Sequence, residues 1–401
     1  MVAVPARLRA GAALLGPAFV AAIAYVDPGN VATNTAAGAT YGYLLVWVLV
    51  VANVMAGLVQ YLSAKLGLVT GKSLPEAVRD HLPRPLRLAY WGQAEVVAMA
   101  TDLAEVLGGA IALHLLFDLP LLLGGVITGV VSTLLLLVQD KRGQRPFERV
   151  ITTMLVVIAA GFVAGLFVSS PSVSGAAAGL VPRFDGADSV LLAAGMLGAT
   201  VMPHAVYLHS ALARDRHGRD PSVLRATKVD VVVAMVLAGA VNLAMLLLAA
   251  SSLQGKENVD TLEGAHAAVG VTLGSGVAVL FALGLLASGF ASTAVGCYAG
   301  AVVMDGLLRV RIPLPTRRLV TLVPALAVLA VGVDPTFALV LSQVVLSFGI
   351  PFALVPLVWL TARRSVMADY ANRRPVTIAA WIVTGAVVSL NVVLIYLVTS
   401  A

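Results

Sequence analysis

The chain has 401 residues, of which 60% are hydrophobic and only 11% charged. A water-soluble domain carries about 25% charged residues, so this composition excludes a soluble globular fold and points to a polytopic helical membrane protein. A net charge of +6 would suit a nucleic-acid binder, but the basic residues sit between apolar runs and serve no such partner; the single Cys297 excludes an internal disulfide.

In chain order, the apolar runs predict eleven spans at 10–40, 43–66, 88–116, 119–139, 149–169, 188–213, 227–253, 272–307, 318–333, 336–361 and 376–399. Each is near or above the ~20 residues needed to cross a bilayer, the ninth being the shortest. The first is read as a retained helix, because its apolar run ends in Asp27-Pro28-Gly29-Asn30 and not in a small-residue cleavage site.

Charge segregation checks the count. With the N-terminus in the cytoplasm, the cytoplasmic segments hold Arg7 and Arg9; Lys65, Lys72, Arg79, Arg84 and Arg87; Lys141, Arg142, Arg145 and Arg149. They also hold Arg214, Arg216, Arg219, Arg225 and Lys228; Arg309, Arg311, Arg317 and Arg318; Arg363, Arg364, Arg373 and Arg374. Only Arg183 and Lys256 fall on the other side. One miscounted span would invert every later loop and destroy this pattern. The expected topology is N-terminus cytoplasmic, C-terminus extracytoplasmic.

Two spans are interrupted. The first reads Ala24-Tyr25-Val26-Asp27-Pro28-Gly29-Asn30; the sixth reads Gly198-Ala199-Thr200-Val201-Met202-Pro203-His204. A proline removes a backbone donor and a glycine relaxes the chain, so Pro28 with Gly29, and Pro203, break their helices. A lone proline kink is as often structural, which leaves Pro203 open when taken alone. Breaks in corresponding helices, five spans apart and entering from opposite sides, are the sequence mark of a transporter with a midplane site between inverted repeats. The expected architecture is one transmembrane domain over 1–401: a first repeat at 10–169, an inverted second repeat at 188–361, and an extra helix at 376–399.

An aspartate at mid-bilayer costs at least ~2.5–3.5 kcal/mol on insertion scales. With no Lys or Arg expected near mid-membrane, Asp27 needs a bound cation or a proton. Asp27 and Asn30 offer hard oxygens, unwound backbone at Ala24 and Ala199 offers carbonyls, and Met202 offers a soft thioether. Such a mixed set suits Mn2+ or Fe2+, and also Cd2+, over Na+, Mg2+ or Ca2+. Met202 taken alone reads equally as packing.

In the third span Glu95, Asp102 and Glu105 are spaced by seven and three residues, which puts them on one inward-facing helix side and suits a proton relay. Glu95 reads equally as water-exposed near its helix end. His204 and His209 follow the second break; each reads equally as a proton carrier or a structural hydrogen bonder.

The strings AYVDPGN at 24–30 and ATVMPH at 199–204, with TDLAEVLG at 101–108, resemble the signature motifs of the Nramp family of proton-coupled divalent-metal transporters. The resemblance runs along essentially the whole chain. It implies an all-α, LeuT-like fold of five-plus-five inverted repeats plus one helix, with Asp27, Asn30 and Met202 as side-chain ligands. It further implies that the Ala24 and Ala199 carbonyls complete the shell, and that Gln343 in the tenth span reaches the metal in some conformations; a buried glutamine bridging helices is the alternative for Gln343. Relatives that carry magnesium or aluminium lack the methionine, so Met202 implies the transition-metal branch. Asp102 and Glu105 match the family's proton pathway, which a basic residue at the start of the ninth span closes. Here Arg318 fits that position, although topological anchoring also explains it.

The implied function is proton-coupled import of divalent transition metals by alternating access, with metal ions, protons and the bilayer as partners and no cofactor or obligate protein partner. An amino-acid symporter of the same fold, sodium- or proton-coupled, is the alternative; Asp27 would repel its substrate's carboxylate. An enzyme is not expected, since HExxH and GxSxG are absent. Frequent Arg and Ala point to a high-GC bacterial genome and hence to the inner (plasma) membrane.

Overall fold

The protein, described here by a computed structural model over residues 16–256, 259 and 261–400, is built of helices, with no strand among the described residues. Residues 10–15 of the predicted first span, and Arg7 and Arg9 before it, lie outside the described residues.

The first span consists of α1 (Pro17–Ile23), a 3-10 turn (Ala24–Val26) and α2 (Pro28–Tyr41). Next come α3 (Val46–Thr70), the short α4 (Leu74–Arg79), α5 (Arg84–Phe117), α6 (Leu121–Arg142), α7 (Gln144–Ser169) and the short α8 (Val173–Ala178). The sixth span is divided into α9 (Gly186–Thr200) and α10 (Pro203–His217). After these lie α11 (Leu224–Ser252), α12 (Leu262–Leu273), α13 (Ser275–Leu308), α14 (Leu314–Val331), α15 (Pro335–Ala362), α16 (Arg364–Met367) and α17 (Arg374–Ser400). Ten helical stretches among the described residues are long and apolar enough to cross a membrane. The broken first span supplies the eleventh crossing from two halves, neither sufficient alone.

The long helices follow the predicted spans to within about a turn. The ninth differs in consequence: α14 starts at Leu314, so Arg317 and Arg318 are inside its first turns and not in a loop. The short α4 was not foreseen; a capping box between Ser73 and Glu76 nucleates it.

Packing repeats with the halves exchanged. α2 packs on α11 as α10 packs on α3; α13 packs on α7 as α5 packs on α15; α13 meets α6 as α5 meets α14. Like meets like in α3–α11, α5–α13 and α6–α14. This pattern is the internal symmetry of a LeuT-like fold, and α17 is added against α9 and α15. At the centre α5 and α13 cross closely: a Cβ on Gly289 would lie 2.6 Å from the Gly109 amide nitrogen. Small residues permit such approach where lipid gives no hydrophobic drive to association.

The predicted basic loops gather at one end of the bundle. Lys65 donates to Asn372 at 2.8 Å, Arg79 to the Gly306 carbonyl at 2.9 Å, and Arg214 pairs with Glu76. At the other end Trp47 donates to the Arg183 carbonyl at 3.2 Å, and the Ser172 amide donates to the Tyr43 hydroxyl at 2.9 Å.

Candidate metal site and its polar surroundings

The first break is tight. Backbone winding tightens to 3-10 over Ala24–Val26, Asp27 is extended, and Pro28 restarts the helix as the first residue of α2. The Asp27 carboxylate caps α2, accepting from the Asn30 amide at 2.8 Å and from Asn30 Nδ2 at 2.6 Å. Carbonyls freed by the break are taken up by other spans: Asn242 Nδ2 donates to Tyr25 O at 2.7 Å, and Ser288 Oγ donates to Val26 O at 2.6 Å. Asn34 in turn donates to Asn242 at 3.0 Å. Unwound backbone survives at this depth only when its polar groups are satisfied in this way.

The second break is looser. α9 ends at Thr200; Val201 and Met202 are non-helical, and Pro203 begins α10 with no side-chain cap. Asn30 Nδ2 donates to the Ala199 carbonyl at 3.0 Å, and this bond ties the two breaks together. Asp27, Asn30, Ala24, Ala199 and Met202 are all at most 1% exposed, so the locus is closed to solvent on both sides. The oxygen of the Asn30 amide makes no hydrogen bond. Gln343 of α15 lies over Gly29: a Cβ there would sit 2.5 Å from Gln343 Nε2 and 3.3 Å from Asp27 Oδ2. The two broken helices and α15 therefore converge on Asp27.

No group of three or more His, Cys, Asp or Glu side chains is arranged to hold a metal among the described residues. One carboxylate with amide, carbonyl and thioether donors is what the locus offers. Such a set suits a cation that must be released again more than a permanent structural ion.

The acids of α5 form two ion pairs and one unpaired group. Glu95 accepts from Arg317 at 2.9 and 2.7 Å, and Asp102 accepts from Arg318, which also donates to Ser132 at 2.8 Å. Both arginines are buried, Arg318 completely, which overturns topological anchoring as an account of them. Neither arginine pairs with Asp27. Glu95 is paired and not simply water-exposed. Glu105 is fully buried, and neither carboxyl oxygen makes a hydrogen bond. One turn along α5, Gly108 lies directly against Pro28, which sets Glu105 beside the first break.

The histidines have different surroundings. His209 Nδ1 is 2.7 Å from Gln60 Oε1, and Gln60 Nε2 donates to the Tyr25 hydroxyl at 2.6 Å. His204 is buried, and neither ring nitrogen has a hydrogen-bond partner. It lines a small cavity with Gln93, Pro203, Tyr207 and Gly300, and Gly300 lies against the Arg317 guanidinium.

The sequence profile described as natural resistance-associated macrophage protein-like matches residues 18–397. A divalent metal cation transporter, MntH, of Mycobacterium tuberculosis (strain ATCC 25618 / H37Rv) is 64% identical over 390 residues, 96% of this chain and 91% of the relative. The chain belongs to the Nramp family. Among solved structures, an Eremococcus coleocola manganese transporter in complex with an aromatic bis-isothiourea substituted compound superimposes with a TM-score of 0.89 at 32% identity. That superposition covers 98% of this chain and 88% of the other. The nucleobase-cation-symport-1 family transporter MHP1 matches in fold alone, with a TM-score of 0.59 at 15% identity, 96% of this chain and 93% of the other being covered.

In this Nramp protein several polar residues around the breaks escape a reading based on charge. Gln60, Asn242, Asn34 and Ser132 are uncharged and scattered over four apolar spans, so no local pattern marks them. Ser288, equally unmarked in its apolar span, is held by the break through the Val26 carbonyl. Asp230 was legible: it is an acid inside a predicted span, and it accepts from the Gly16 and Ala18 amides at 3.1 and 3.0 Å.

Proposed function

We propose that this protein imports divalent transition metal ions, Mn2+ and Fe2+ and also Cd2+, by proton-coupled alternating access across a bacterial plasma membrane. The observation that carries this is the Asn30–Ala199 bond, which joins two broken helices around a single buried carboxylate. Asp27, Asn30 and Met202 supply side-chain ligands, the Ala24 and Ala199 carbonyls complete the shell, and Gln343 joins from α15 through its amide oxygen.

Asp27 binds the ion as a carboxylate. Its proton leaves toward Glu105, beside the break, and then toward the Asp102–Arg318 pair; Glu95–Arg317, His204 and His209 border this route. Rocking of α1 and α10 against the α5–α13 centre exposes the locus to one side at a time. The repeats that rock span 10–169 and 188–361, with 376–399 as an addition, the N-terminus cytoplasmic and the C-terminus extracytoplasmic. An inside-negative potential drives inward movement at about 2.3 kcal/mol per charge per 100 mV. The protein needs no cofactor or obligate partner for this, and it is a carrier and not an enzyme.

An amino-acid symporter of this fold would use a helix N-terminus to hold a substrate carboxylate. Here the N-terminus of α2 is already capped by Asp27, so the chemistry disfavours that reading.

The test is Mn2+ uptake into proteoliposomes at an imposed voltage, with a pH dye inside, comparing wild type and Met202→Ala under excess Mg2+. Wild-type uptake should resist Mg2+ and acidify the lumen, while the variant becomes Mg2+-sensitive. A folded wild-type preparation that takes up no Mn2+ would return the search to organic substrates.

A further inference from the structure

The outer faces of α3 and α11 leave a groove of about 330 Å³ between them, lined by Asn53, Val54, Gly57, Tyr61, Lys228 and Val232 among others. Its rim is strongly apolar: Val54 is 69% and Val236 62% exposed. In a protein that spans a bilayer those surfaces face lipid. At its deep end Asn53 closes the groove by packing against Gly239, while a Cβ on Gly57 would meet nothing within 4 Å. Lys228 stands at the other end, four residues into α11, at the end of the bundle where the basic loops gather.

We infer that this groove binds one anionic phospholipid of the leaflet on the basic side, with an acyl chain lying between α3 and α11 and the phosphate on Lys228. Three observations select this occupant. Lys228 and Arg225, one turn apart, make no ion pair or hydrogen bond among the described residues, whereas Lys72, Arg214 and Lys65 at the same end are tied to Asp80, Glu76 and Asn372. The groove runs from Lys228 to Val236, eight residues or about 12 Å of helix, within the ~15 Å of one leaflet's hydrocarbon. Charge stands at one end and apolar wall along the rest, which is the layout of a phosphodiester and its chain. Basic pockets between spanning helices on the cytoplasmic side recognise anionic headgroups in this way, and a snorkelling lysine keeps its ammonium at headgroup level.

Native mass spectrometry of the full chain in mild detergent, titrated with dioleoyl phosphatidylglycerol or dioleoyl phosphatidylcholine, tests this. Wild type should bind a first phosphatidylglycerol about fivefold tighter than phosphatidylcholine, the effect of one basic residue near an anionic surface. Lys228→Gln should abolish the preference and leave phosphatidylcholine binding as it was. Gly57→Leu, which fills the groove, should weaken both lipids; if it does not fold, Val236→Trp on the lipid-facing rim replaces it. Equal affinities in wild type, a preference that survives Lys228→Gln, or lipid binding unchanged by the groove-filling substitution overturn the inference. So does a lipid-independent dimer mass lost in Val236→Trp, which would assign the groove to a second copy. None of these residues belongs to the proposed transport locus, so the result is independent of the Mn2+ assay.

Discussion

The two helix breaks are related by the internal symmetry of the fold, yet they are built differently. At the first, a single residue is unwound, its own side chain caps the next helix, and α11 and α13 take up the freed carbonyls. At the second, two residues are unwound, no side chain caps α10, and Asn30 of the first break holds the Ala199 carbonyl. The first break is thus held in shape by its surroundings, while the second is held largely by the first. The difference teaches where adaptability resides: under the proposed function, a cation changing its coordination would meet a fixed carboxylate on one side and a less constrained carbonyl and thioether on the other.

Asp27→Asn separates the chemistry of the first break from its architecture. Asn caps helices about as well as Asp, so the variant should keep the fold to within about 1 kcal/mol. Mn2+ uptake should nevertheless drop to the leak of empty liposomes, because the carboxylate that caps α2 is gone. Uptake within twofold of wild type, an arbitrary but generous margin of about 0.4 kcal/mol, would remove Asp27 from the mechanism.

Behind the first break α5 carries Glu105 and, three residues before it, the buried Asp102–Arg318 pair. Arg318→Ala leaves Asp102 buried without its partner, and such losses cost about 3–5 kcal/mol. Thermal unfolding in detergent should register this as the largest destabilisation of the set. The double variant Asp102→Asn with Arg318→Gln should recover most of it, because neither buried charge then remains. A double variant no better than the single would mean that Arg318 acts through packing.

Smaller effects should distinguish how each break is held. Asn242→Ala strands the Tyr25 carbonyl and the Asn34 amide, at about 1–3 kcal/mol for each buried group left unpaired. Pro203→Ala merely replaces one acceptable first helical residue by another, and about 1 kcal/mol or less is expected. Unfolding midpoints that move equally would erase the contrast between a braced and an unbraced break.

How much of this was legible in the sequence follows from the kind of signal each residue leaves. Asp27, Pro28, Pro203 and the acids of α5 stand out because charge and proline are costly inside apolar spans. The spans themselves were legible because loop charge and helix count constrain each other. By the same logic Arg317 was left in a loop and Arg318 stood open between an anchor and a partner for the α5 acids, since two arginines beside an apolar run look like a loop until their partners are known. Gln60, Asn34 and Asn242 left no signal: a neutral amide in an apolar helix is compatible with many neighbours, and its function is decided by what packs against it. Gln343 lies between these cases, for only the convergence of α15 on Gly29 brings it to Asp27.

Met202→Leu is the substitution that probes the looser break most directly. Leucine nearly conserves the volume of this fully buried side chain, so stability should change by less than about 1.5 kcal/mol. What disappears is the sulfur. A soft donor contributes more to a soft ion, so Cd2+ affinity should fall by roughly tenfold while Mn2+ changes by no more than about threefold. Competition of each ion against Mn2+ uptake gives both numbers from one preparation. Equal losses for Cd2+ and Mn2+ would make Met202 a packing residue whose removal merely distorts the locus, and the second break would then contribute only backbone. Unequal losses would show that the two breaks divide the work, the first supplying charge to hold any divalent cation and the second supplying the softness that chooses among them.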